Sequence, residues 1–97
     1  MKTTTTVRTS NASRYLQQLC KHLAHKIDVR YDAETGICTF PHSRAELAAR
    51  DQALDIAIHA DDAEGLERGR TVIWKHLERF AFREDMAPPQ WETHAGA

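Results

Sequence analysis

A chain of 97 residues with 41% hydrophobic and 28% charged side chains has enough apolar material for one domain, and excludes collagen-like, low-complexity and fully disordered classes. The formal charge is −1, from 13 Lys and Arg against 14 Asp and Glu, so no overall basic footprint for nucleic acid exists. No apolar run approaches the ~20 residues that cross a bilayer, and the N-terminus lacks a secretory apolar stretch, so a cytoplasmic protein is expected.

Thr3 to Arg8 is rich in β-branched residues and suits a strand. Thr9-Ser10-Asn11 ends it, and Ser10 or Asn11 is expected to cap the following helix through its side chain. Leu16, Leu19, Cys20, Leu23 and Ile27 recur at helical steps and form that helix's buried stripe, with Ala12 extending it backwards. Alternation then replaces the helical period. Ile27, Val29 and Tyr31 oppose Asp28, Arg30 and Asp32, and Ala33-Glu34-Thr35-Gly36 supplies a hairpin turn before a strand carrying Cys38 and Phe40. Ala45, Leu47 and Ala49 alternate in a short strand, with helix the competing reading, and Leu54, Ile56 and Ile58 mark the clearest strand.

Asp61 followed by Glu64 resembles a capping box, so the last helix is expected to start near Asp62. Leu66, Gly69, Ile73, Leu77 and Phe80 form its inner stripe, and Arg79 and Arg83 fall in its final turns. The elements predict an α+β two-layer sandwich of β-α-β4-α order, with a largely antiparallel sheet and both helices on one face. The domain is expected to span residues 1–91, with Trp91 folding back to cover Trp74 or Phe82 unless those aromatics mark an interface, and residues 92–97 forming a disordered tail. The outer sheet face, carrying Asp28, Arg30, Asp32, Arg44, Glu46, Asp55 and His59, is expected to be solvated.

Charge is unevenly distributed, at +5 over residues 1–30 and −7 over residues 31–67. Cys20 and Cys38, eighteen positions apart, are expected to be free thiols. His22 and His25 lie one helical turn apart, but two ligands without a third do not make a metal site, and none is expected. Helical angles place Tyr15, His22 and Lys26 along one shoulder of the first helix and His76, Arg79 and Arg83 along one shoulder of the last. If the shoulders adjoin they form a cationic groove for an anion, unless Glu78 or Glu84 neutralises the cations. The four glycines, at positions 36, 65, 69 and 96, provide neither a phosphate loop nor a dinucleotide fingerprint. No cofactor is expected.

The segments Arg14-Tyr15-Leu16-Gln17-Gln18-Leu19-Cys20-Lys21-His22, Ala24-His25-Lys26 and His76-Leu77-Glu78-Arg79-Phe80-Ala81-Phe82-Arg83-Glu84 resemble the bacterial domain of unknown function family 2218, over roughly residues 5–91. The position after Pro41-His42 departs from that resemblance, being Ser43 where Gly is expected. The resemblance implies no established activity. It does imply an association with siderophore-interacting flavin reductases, and the element order is similar to that of TATA-binding-protein-like and helix-grip folds. The reading is therefore a non-catalytic accessory or small-ligand-binding domain linked to siderophore or iron handling. Its expected partner is a small anionic ligand or a protein, with neither nucleic acid nor a membrane. The alternatives are a histidine-dependent metal-binding protein and an enzyme acting on a small anion through His22 and His76.

Overall fold

A computed structural model describes residues 1–81, 84 and 88–94. Strand β1 (Lys2–Arg8) leads into helix α1 (Ala12–Leu23), followed by strands β2 (Asp28–Tyr31), β3 (Thr35–Thr39), β4 (Arg44–Arg50) and β5 (Ala53–His59), helix α2 (Ala63–Phe80) and strand β6 (Glu92–His94). The strands form one antiparallel sheet in the order β2-β3-β4-β5-β1-β6. β1 and β5, distant in sequence, pair at its centre, with Thr3 opposite Ile58 and Val7 opposite Leu54. Segment 44–50, for which helix competed, is a strand because its alternate residues Ala45 and Leu47 lie against Ile58 and Ile56 of β5.

Alternation decides which sheet face the helices cover. Leu54, Ile56 and Ile58 of β5, Ala45 and Leu47 of β4, Cys38 of β3 and Val7 of β1 are buried with Leu16, Leu19, Cys20 and Leu23 of α1 and Leu66, Ile73 and Leu77 of α2. The opposite face carries Arg30, Arg44, Glu46, Asp55 and His59, with ion pairs Arg50–Asp55 and His59–Glu46 at 2.7 Å each. Trp74 and Trp91 are both half-buried against the core.

Five local expectations are corrected. Asn11 precedes α1 but does not cap it: its side chain donates to Glu84, and the Thr9 hydroxyl accepts from the Asn11 N–H at 3.0 Å. α1 ends at Leu23, so Ile27 reaches the core from the turn after the helix. Gly36 lies inside β3 opposite Tyr31, and the turn is held instead by the Asp32 carboxylate, which accepts from the N–H groups of Glu34 and Thr35 at 2.8 Å. Glycine is needed at position 36 for close approach, since a Cβ there would lie 2.8 Å from the Cys20 sulfur. α2 is capped by Asp62 rather than Asp61, its carboxylate accepting from the Gly65 N–H at 2.8 Å.

The fifth correction concerns the end of the chain. Glu92–His94 form a sixth strand on the free edge of β1 where a tail is predicted. Inward-facing hydroxyls hold it there: Thr5 donates to the Gln90 carbonyl at 2.8 Å and Thr3 to the Glu92 carbonyl at 3.2 Å. The expectation for residues 95–97 lies outside the described residues.

Candidate functional site

The two helices run antiparallel on the sheet, which brings the middle of α2 beside the C-terminal end of α1. His22 and His76 face each other across this seam with ring centroids 5.0 Å apart and planes inclined at 50°. Phe80, expected on the buried stripe of α2, is half-buried and its ring lies near-perpendicular to that of His22, centroids 6.0 Å apart. A groove of about 380 Å³ opens here, lined by His22 from the end of α1, Lys26 from the turn after it, and Lys75, His76 and Arg79 from α2.

Helical spacing explains the convergence. His22 lies in the last turn of α1 and Lys26 in the turn that follows it, where the Lys26 N–H bonds the Leu23 carbonyl, while Lys75 and Arg79 are four residues apart on α2. Their neighbours Leu23 and Leu77 are buried, which fixes the rotation of each helix and aims these polar residues along the seam. The side chain of His76 is anchored further: its Nδ1 lies 2.8 Å from the Val72 carbonyl. A carbonyl can only accept, so Nδ1 carries the proton and Nε2 is left as the free acceptor of the neutral ring.

The electrostatics are one-sided. The pKa of His22 is lowered, first by partial removal from water and then by the charges of His76, Lys26, His25 and Arg79. Among the described residues no carboxylate forms an ion pair with any of the five groove residues, although ion pairs occur elsewhere on the same helix, Arg68–Glu64 at 2.8 Å and Arg70 with Glu67. Glu78 lies about 160° around α2 from His76, and among the described residues it forms no ion pair with Lys75 or Arg79.

Tyr15 does not join the groove. It lies two turns before His22 and is buried near the start of α1, where its hydroxyl donates to Glu84. Glu84 also accepts from the Thr9 hydroxyl at 2.9 Å and from the Asn11 side chain at 3.2 Å, so this carboxylate is committed away from the cations. Its pKa is lowered, chiefly by the Tyr15 hydrogen bond, whereas burial pushes that of Tyr15 up. Arg83 and Phe82 lie outside the described residues. Lys75 is the member that sequence reasoning missed, and its signal was available in the four-residue step to Arg79.

A larger depression, of about 570 Å³, lies at one end of strands β1, β3, β4 and β5, near Met1, Phe40, His42, Arg44, His59 and Asp61. Its polar groups are largely occupied. His59 pairs with Glu46, the Met1 amino group donates to the Ala60 carbonyl at 2.9 Å, His42 bonds Ser43, and the His42 ring stacks on Phe40. Among the described residues no three His, Cys, Asp or Glu side chains converge as a metal site. Cys20 and Cys38 are free and fully buried with sulfurs 3.9 Å apart, and contact with Cys20 together with burial holds the Cys38 thiol well above its ordinary range. No helix of the described residues is long and apolar enough to cross a membrane.

Comparison with known proteins is consistent in family and architecture. A family model described as an uncharacterized protein conserved in bacteria, DUF2218, matches residues 4–92. Solved structures also match, among them the NMR structure of PA4090 from Pseudomonas aeruginosa. It is 33% identical, with 94% of each chain covered and a TM-score of 0.79. No curated protein matches.

Proposed function

Because the chain belongs to DUF2218, a family of uncharacterised bacterial proteins, we propose its function from its own groove: it is a non-catalytic domain that binds a small anion between α1 and α2. One observation carries the reading, namely that His22, Lys26, Lys75, His76 and Arg79 line a single groove without a carboxylate partner among the described residues. Bringing like charges together costs free energy, and an anion seated among them offsets it. Arg79 offers a planar fork for carboxylate or phosphate, and the lysines supply mobile point charges. The lining contains no hydroxyl or thiol nucleophile, which favours binding over chemistry.

The iron-handling connection belongs to this proposal, since iron chelators present the carboxylate and phenolate oxygens that such a groove accepts. A cytoplasmic setting is part of the same reading, supported by two buried cysteines in the free thiol form. A second reading, a divalent metal held by His22 and His76, draws support from the 5.0 Å ring separation and from the Val72 carbonyl that orients His76. Three neighbouring cations weigh against it.

Calorimetric titration with citrate and with inorganic phosphate tests the proposal. Binding should weaken at least tenfold in the Lys26→Glu/Arg79→Glu double variant and fall as salt is raised. Equal affinity in the variant would overturn it. Stoichiometric zinc in protein purified without chelator, lost in His76→Gln, would establish the second reading instead.

A further inference from the structure

The facing imidazoles bear on what kind of anion the groove takes. Two uncharged rings at this separation coexist easily, whereas two imidazoliums repel each other and the cations beside them. The charged groups around the pair come from the turn after α1, His25 and Lys26, and from α2, Lys75 and Arg79, with the Phe80 ring edge-on to His22. No carboxylate among the described residues is placed to hold a proton on either ring, because Glu84 is bound by Tyr15, Thr9 and Asn11 and Glu78 is on the far side of α2.

An anion entering this seam reverses the balance. It favours the charged form of each histidine, and the empty Nε2 of His76 is where a solvent proton adds, turning an acceptor into a second N–H donor. Attraction to an added cation scales with the charge of the anion, so beside Lys26, Lys75 and Arg79 a di- or trivalent anion stabilises a protonated histidine about two to three times as strongly as a monovalent one. Resting on the anion-binding reading above, we propose that the groove selects a polyvalent anion, carrying two or more carboxylate, sulfate or phosphate charges, and takes it up together with a proton on the His22–His76 pair.

The affinity of such a site is set by pH. With one proton taken up per anion, affinity falls by up to tenfold for each pH unit above the histidine range. A lowered His22 pKa in the free protein widens the gap that the anion closes.

Calorimetry with oxalate, a dianion throughout the range used, in two buffers of different ionisation enthalpy at pH 7 counts the protons taken up. The expected result is buffer-dependent heat corresponding to proton uptake, affinity at least tenfold weaker at pH 8.5 than at pH 6, and acetate binding at least tenfold weaker than oxalate. The His22→Gln/His76→Gln variant should still bind oxalate through Lys26, Lys75 and Arg79, with no proton uptake. Oxalate binding with buffer-independent heat, proton uptake persisting in the double variant, or acetate binding as tightly as oxalate would each overturn the coupling and leave the groove standing. Failure of oxalate to bind at any pH would overturn the groove reading itself.

Discussion

His22 is the most informative single residue, because its surroundings are cationic on every side that carries charge. Removal from water and the neighbouring His76, Lys26, His25 and Arg79 all act in one direction, so His22 should titrate below an ordinary histidine in the anion-free protein. Replacing Arg79 with Gln removes one of these charges, and the His22 pKa followed by NMR should rise. An unchanged value would show that the guanidinium does not face the ring. Glu84 is the counterpart at the other end of the seam. Folding lowers its pKa, so its contribution to stability is complete above the unfolded value near 4.5 and disappears as pH falls through the folded value. Glu84→Gln should cost about 0.5–1 kcal/mol near neutral pH, with the exposed carboxylate limiting the loss, and the gap should close in acid. A gap that stays constant between pH 7 and pH 3 in denaturant melts would contradict the Tyr15–Glu84–Thr9 arrangement.

At the scale of elements, the helices were legible because period and burial agree: Leu19 and Leu23 on α1 and Leu77 on α2 are all inside, as their spacing requires. The meeting of His22 with His76 follows from that rotation, once both helices share a sheet face. Tyr15 was misplaced because an angular projection discards distance along the axis, and two helical turns separate it from His22. Gly36 was misread because a glycine after Glu34-Thr35 looks like turn chemistry, whereas its reason lies across the core in Cys20, a long-range contact that no local pattern reveals. This makes a prediction about coupling. Gly36→Ala should destabilise by about 1–3 kcal/mol, since its Cβ would lie 2.8 Å from the Cys20 sulfur. Cys20→Ala made in the same chain should recover part of that loss, so the two substitutions should be non-additive in chemical denaturation. Additive losses would mean that the strand is not pressed against α1 at this point.

For the whole molecule, the solvated sheet face and the covered one were readable from alternation, and the sixth strand was not, since Glu92–His94 is too short to show a period and depends on the free edge of β1 and on Thr3 and Thr5. The groove is likewise a property of the assembled fold. The acidic side chains concentrated between residues 31 and 67 lie in the turns between strands, on the outer sheet face and at the start and in the first half of α2, and they leave the seam between the helices basic. The larger depression at the strand ends, with its histidines already bonded, is the competing location. A backbone and histidine chemical-shift titration with citrate separates the two most directly. The account predicts perturbations concentrated on His22, Lys26, Lys75, His76 and Arg79. Perturbations centred on Lys2, His42, Arg44 and His59, or none at all, would contradict it.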